Sequence, residues 1–395
     1  MTANLASYWT LDPEIDFLNH GSFGACPRAV LEAQSELRAR LEREPVRFMV
    51  RELEGKLDTA RAALAPFVGA DPADLVFVPN ATTGVNSVLR SLDLQPGDEL
   101  VVTNHAYAAC RNALDAVART TGARAVVVAV PFPLADAGAI LDAVLGAVTP
   151  RTRLALVDHV TSPTGLVFPI ADLVAALERR GVETLVDGAH APGMVPVHLA
   201  SLGATYYAAN CHKWPCAPKG AAFLWVRHDR QAAIHPLVTS HGATTVRTDR
   251  SRFRLEFDWV GTDDPTAYLS IPAALRTLGD MVPGGWAEVR RRNRDLALAA
   301  RRLLCDALEI PLPCPDELVG SLAAVPLPAG SPHDSAELFW TDPLQAVLFE
   351  RHRIEVPVFR WPAPPHRLLR VSSQLYNSID QYERLAAALR AELRT

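Results

Sequence analysis

Residues 182–220 read VETLVDGAHAPGMVPVHLASLGATYYAANCHKWPCAPKG. The short run Thr184-Leu185-Val186 stops abruptly at Asp187-Gly188. A buried parallel strand reads this way when it delivers an acid to the carboxyl edge of a sheet. Lys213 follows 213 − 187 = 26 residues later, within Asn210-Cys211-His212-Lys213-Trp214. An acid at a strand end and a lysine in a polar turn are what a pyridoxal 5'-phosphate site needs. The amine condenses with the cofactor aldehyde, and the carboxylate keeps the pyridine nitrogen protonated so that the ring accepts electrons.

The lysine count sharpens this. The chain has three lysines, Lys56, Lys213 and Lys219, and 39 − 3 = 36 arginines. A guanidinium stays protonated and cannot condense with an aldehyde. Lys56 lies in the charged helical pattern RELEGKLDTARAAL and reads as solvated. Lys219, between Pro218 and Gly220, reads as a turn residue and is the fallback. Lys213 is the candidate.

Upstream, strand-like runs alternate with helical ones, and each strand ends in polar residues. Leu75–Val78 precedes Asn80-Ala81-Thr82-Thr83-Gly84 and a helical run. Free amides at such a helix start can hold a phosphate, although Asn-Ala-Thr-Thr is equally a helix cap. Glu99–Val102 leads into Thr103-Asn104-His105-Ala106-Tyr107, where either ring could stack on a planar cofactor. Arg153–Val157 ends in Asp158-His159-Val160-Thr161-Ser162. With Asp187–His190, four polar clusters fall at strand ends, where ligands of doubly wound sheets sit. The alternation predicts a mainly parallel, doubly wound sheet. Further strands are expected at Ala125–Val130 and Ala221–Val226, and helices at 28–66 (ending at Pro66), 110–120, 136–148 and 170–180. Near the start, FLNHGSFGACP (17–27) packs Asn19, His20, Ser22 and two glycines into a loop that can bring backbone close to a substrate.

After residue 265 the pattern changes to an α+β layer. It has a long helical run from Pro265, an arginine-rich helix at 286–308, and strands at Leu322–Leu327, Ile354–Phe359 and Leu368–Ser372. The last helix is Ser378–Leu393. The expected division is a large domain of residues 17–264 and a small one of residues 1–16 and 265–395; 395 residues favour two domains.

Composition excludes several classes. A net charge of −5 offers no basic surface for nucleic acid. No apolar run approaches the roughly 20 residues of a membrane span. MTANLASYWTLDPEIDF lacks the charged and apolar regions of a signal peptide. Six scattered cysteines fit a reducing, cytoplasmic setting. Cys211 and Cys216 have no second pair to complete a zinc site, so no metal is expected.

LNHGSFGACP, NATTGVN, DHVTSPTG, VDGAHAPG, CHKWPCAPKG, GTDDPTAYL, IEVPVF and RVSSQLYN occur in this order over residues 17–380. Together they resemble the class V aminotransferase family, and within it the isopenicillin N epimerase-like branch. The resemblance implies the fold type I architecture of pyridoxal phosphate-dependent transferases and a homodimer with shared active sites. It implies that Lys213 binds the cofactor and Asp187 pairs with its ring nitrogen. Ala81, Thr82 and Thr83 match the phosphate turn, and Asn210 and His212 match further phosphate contacts. Ser162 and His190 fall where the ring hydroxyl is held. His105 and Tyr107 are alternative stacking residues. Arg370 matches the clamp for a substrate carboxylate, and Asn19 is a second substrate candidate. Gly261 and Thr262 match a segment lent by the second subunit. Asp263 stands where relatives often carry Arg, which reverses a charge beside the site.

The substrate implied is an amino acid, attacked through its α-carbanion. Epimerisation is the first reading, with carbon–sulfur β-lysis or transamination as alternatives. A binding protein without chemistry would have no need of Lys213 and Asp187. Residues 235–263 and 311–366 are expected to shape the pocket. The region before Arg370 has no cysteine that could carry a persulfide.

Overall fold

Seven short strands carry the polar clusters. They are β1 (Leu75–Val78), β2 (Glu99–Thr103), β3 (Arg124–Val128), β4 (Thr152–Asp158), β5 (Glu183–Asp187), β6 (Tyr206–Asn210) and β7 (Ala222–Val226). In the computed structural model, which describes residues 5–330 and 342–393, they form one sheet in the order β1-β7-β6-β5-β4-β2-β3. β2 to β6 pair in parallel, and β7 runs antiparallel to both β1 and β6. The expected mainly parallel sheet is therefore present, with one reversed strand. β7 follows the 211–221 turn directly, without the long crossover that a parallel neighbour requires.

Side chains alternate between the two faces of the sheet. Val76, Val78, Leu100, Val102 and Leu154 pack on one side with α3 (Ala81–Ser91) and α4 (Ala108–Thr121), once α1 (Arg28–Arg43) and α2 (Leu53–Val68) have been passed in the chain. Leu75, Phe77, Val101, Ala155 and Val157 pack on the other side with α2, α5 (Gly138–Gly146) and α6 (Ile170–Glu178). Burial on both faces explains why these strands read as continuous apolar runs.

A second sheet, in the order β9-β10-β8, is antiparallel and built from β8 (Leu322–Leu327), β9 (Val358–Arg360) and β10 (Arg367–Ser372). Leu304 of α7 (Gly285–Ala307) and Leu385 and Leu389 of α8 (Ile379–Leu393) join Val325, Leu369 and Val371 in a separate apolar core.

Three expected boundaries differ. The 28–66 helix is broken at Glu44; a π-helical turn, Arg47–Glu52, then leads into α2, which runs through Pro66 to end at Gly69 in a left-handed conformation (φ 60°). The helical run after Pro265 breaks at Ser270, before Pro272, into Thr266–Leu269 and Ile271–Asp280. The Ile354–Phe359 run divides at Val356-Pro357. Ile354–Glu355 pairs in parallel with Asp16–Phe17, and Val358 starts β9. Pro357 has no N–H to continue a ladder. Of the expected pocket region 311–366, residues 331–341 lie outside the described residues, as do residues 1–4 and 394–395 at the chain ends. Among the described residues no helix is long and apolar enough to cross a membrane.

Candidate active site

The three lysines occupy different settings. Lys56 is ion-paired with Glu52 at 3.3 Å on α2. Lys219 donates to the Gly24 carbonyl at 2.9 Å. Lys213 sits in the turn after β6 with Nζ 2.9 Å from Nε2 of His190. Burial, reinforced by the nearby Arg370 cation, lowers the Lys213 ammonium to about 7. A buried amine that is readily neutral is the form that can attack an aldehyde.

Asp187 ends β5 with its carboxyl buried. One oxygen accepts the Ala189 amide at 3.0 Å, and the other accepts the Cys110 thiol at 3.2 Å. Burial raises the Asp187 carboxyl above its ordinary range, while these donors and Lys213 pull it down. Cys110 comes from the first turn of α4. In the sequence it stands out only as one of six scattered cysteines, because 77 residues separate it from its partner.

The first turn of α3 is held from two sides. Asn80 Oδ1 accepts from the Thr83 amide at 2.8 Å, so the capping reading of Asn-Ala-Thr-Thr is correct. Asn210 Oδ1, at the end of β6, accepts from the Ala81 amide at 2.8 Å. Asn210 thus fixes the turn that carries Thr82 and Thr83. His212 donates Nδ1–H to the Ala221 carbonyl at 2.9 Å. Its Nε2 can then donate to an anion only when the ring is protonated, and burial lowers that ring to about 4.

Arg370 projects from β10 and is buried. It donates to the carbonyl and hydroxyl of Ser162 and, at 3.2 Å, to the Ser22 hydroxyl. The Phe359 ring lies 4.8 Å from its guanidinium carbon, and its Nε has no partner among the described residues. Ser22 in turn donates to Asn19 Oδ1 at 2.5 Å. Ser162 therefore lies against Arg370, and Asn19 reaches Arg370 through Ser22. None of these contacts is with an acid. A buried cation without a carboxylate partner is costly, and an incoming carboxylate offsets that cost.

The two rings after β2 separate. His105 is fully buried, bonded to Thr164 Oγ1 at 2.7 Å and to the Val130 carbonyl at 3.1 Å. Trp361, Phe168 and Phe132 surround it. No face of His105 is open to a ligand. Tyr107, the residue before α4, is 48% exposed, and its phenol is raised by partial burial first and then by Cys110 and Asp187. Thr262 is exposed; its neighbours Gly261 and Asp263 line an apolar cavity of about 210 Å³ together with Thr83 and Leu237.

These residues fit pyridoxal phosphate by the chemistry of the set. There is a buried amine held near neutrality, a buried acid 26 residues earlier, and a helix start braced by Asn80 and Asn210 that leaves the Thr82 amide for a ligand.

The family profile for aminotransferase class-V matches residues 23–385. The chain is 38% identical to isopenicillin N epimerase of Amycolatopsis lactamdurans, over 98% of each chain. It is 30% identical to an L-cysteine desulfhydrase of Arabidopsis thaliana, over 94% of this chain and 86% of that one. The apo cysteine desulfurase from Thermococcus onnurineus NA1 superposes with a TM-score of 0.81 at 20% identity, covering 100% of this chain and 98% of the other, which shows the shared fold. The chain belongs to the class V aminotransferase family, within its isopenicillin N epimerase-like branch, and like that family it is a pyridoxal phosphate-dependent enzyme.

Proposed function

We propose that this enzyme removes the α-proton of an amino acid and returns a proton from the opposite side, as an epimerase or racemase. The observation that carries the reading is Arg370, a buried guanidinium whose described partners are all neutral, close enough to Lys213 to lower its ammonium. An α-amino acid has a carboxylate for the first group and an amine for the second. Asn19, through Ser22, steadies the clamp.

When bound, pyridoxal phosphate supplies the electron sink that makes the α-proton acidic. Lys213 takes that proton at Nζ. Asp187 holds its negative charge toward the ring nitrogen, steadied by the Ala189 amide and the Cys110 thiol. His190 and Ser162 would serve the ring hydroxyl, and Thr82 the phosphate, on a turn that Asn210 and Asn80 brace through the Ala81 and Thr83 amides; His212 would donate there only once protonated. Tyr107 rather than His105 would lie against the ring and supply the second proton, since His105 is enclosed and Tyr107 is open.

A β-lyase is the second reading, favoured by the desulfhydrase relative. It begins with the same proton removal at Lys213 and differs in losing a β-substituent. We place the enzyme in the cytoplasm, supported by six unpaired, buried cysteines. A homodimer is supported by the exposed Val46, Val50, Leu237, Val238 and Val246, and by exposed Thr262 as the residue lent across. A division into residues 17–264 and residues 1–16 with 265–395 is supported by the separate core around β8 and β10.

The test is incubation of the cofactor-loaded enzyme with single amino acids in deuterated water. Deuterium at the α-carbon with inversion supports the epimerase; release of a keto acid, ammonia and the β-substituent supports the lyase. Neither α-exchange nor release of a β-substituent with any of the amino acids removes both.

A further inference from the structure

Trp214 follows Lys213 directly and is buried, yet the chemistry assigned above gives it no role. Its indole Nε1–H donates to Nδ1 of His190 at 3.4 Å. The other ring nitrogen of His190, Nε2, is the atom 2.9 Å from Lys213 Nζ. An indole nitrogen only donates, so Nδ1 accepts and carries no proton. A neutral imidazole has one N–H, which therefore sits on Nε2 and points at the lysine. A lysine ammonium has donors and no acceptor, so it would need a bare Nε2 and make His190 an anion. A free amine, accepting from Nε2–H, satisfies all three groups.

We propose that Trp214 is a positioning residue that fixes His190 as its Nε2–H tautomer and thereby holds Lys213 as a free amine. The importance of the lock rests on Lys213 being the cofactor lysine; its existence does not.

The surroundings act in the same direction. Burial, helped by the Arg370 cation, keeps the His190 ring neutral well below the ordinary range of histidine. Asp187 and Cys110 favour a lysine ammonium, but burial and Arg370 outweigh them. His20 and His212 also face His190, and both are held neutral, at about 3 and about 4. The indole is held in place as well. The His20 ring centroid is 5.0 Å from that of Trp214. Gly193 has φ +86°, and a Cβ there would lie 3.0 Å from Trp214 Cβ. The lysine then needs no separate deprotonation before it meets an aldehyde, and the same Nε2–H remains a donor for an oxygen of a bound molecule.

The test is ring-¹⁵N NMR of the full-length chain with labelled histidine, with and without pyridoxal phosphate, His190→Gln serving to assign the signals. In the wild type His190 is expected to show an unprotonated Nδ1 and a protonated Nε2 above the lysine midpoint of about 7. Trp214→Phe keeps an aromatic ring and loses the N–H. It should introduce an Nδ1–H population and shift the pH midpoint of pyridoxal phosphate capture by the cofactor-free chain upward from about 7. A wild-type His190 protonated on Nδ1 overturns the proposal, even if the variant does not fold. So does an unchanged tautomer in Trp214→Phe. A chain that shows the expected tautomer and captures no pyridoxal phosphate leaves the lock standing and removes the catalytic reading of Lys213.

Discussion

Asp158 and Asp187 are register partners at the ends of adjacent parallel strands, and both are buried. Partners in a parallel ladder project to the same face, so two carboxyls share one unsolvated space. Asp187 has the Ala189 and Cys110 donors and is the one that ionises. Burial, and then the charge of Asp187, push Asp158 well above the usual carboxylate range. A carboxyl raised in the folded state contributes most below its unfolded value, and that contribution is lost as pH rises toward the folded value. Asp158→Asn imitates the protonated acid at every pH. The variant is expected to gain thermal stability over the wild type as pH rises from about 4 to 8, by roughly 2 °C or more at the upper end. Melting curves across that range check it; a gain that is constant or shrinks with pH refutes it.

Lys213→Ala should abolish the visible absorbance of the protein-bound cofactor and its trapping by borohydride. Lys56→Ala and Lys219→Ala should keep both, since Lys56 pairs with Glu52 and Lys219 braces Gly24. In the wild type the rate of pyridoxal phosphate capture should rise with pH through about 7 and then level, because the amine is the reactive form. A trapped cofactor on Lys219 would displace the assignment.

Arg370→Lys keeps a cation and loses the planar fork that grips a carboxylate by two parallel bonds. Charge-assisted bonds are worth about 1.5–3 kcal/mol each, so KM for the amino acid should rise about tenfold or more. Cofactor affinity should stay within about twofold of the wild type. An unchanged KM takes Arg370 out of the substrate site.

No persulfide should form on the enzyme. Burial raises the Cys305 thiol to about 11, raises Cys314 as well, and leaves both short of the reactive thiolate. The masses of intact protein before and after incubation with cysteine should agree once reductant-labile adducts are compared. A bound sulfur atom that disappears in Cys314→Ser or Cys305→Ser would refute this and point to desulfurase chemistry.

Much of this site could be read from the chain because strand ends are local features. Asp187 closes an apolar run, Asn210 closes another, and three lysines leave few choices for the amine. What could not be read depends on distant packing. Cys110 reaches Asp187 only because α4 lies across the sheet edge. His105 and Tyr107 are two residues apart in one loop, and only the aromatic wall of Phe132, Phe168 and Trp361 decides which is enclosed. The direction of β7 was equally hidden, because a strand buried on both faces has the same composition in either direction. Pro66 marks a helix end by rule, yet α2 loses one hydrogen bond there and continues for one more half-turn to Val68.

The stretch around Asn19 has a consequence for the order in which the molecule can be completed. Asp16–Phe17 pairs with Ile354–Glu355, the Gly21 amide donates to Ser372 Oγ, and Ser22 meets Arg370. The same stretch presses on the middle of the chain: His20 bonds the Lys213 carbonyl, and Gly24 lies where a Cβ would be 2.3 Å from the His212 carbonyl oxygen. Residues 16–22, made long before residues 354–372, thus find their place only against them. Until β10 is made, Lys213 and Asp187 have no guanidinium beside them. The wall beside the lysine is therefore complete only when these two distant segments have met.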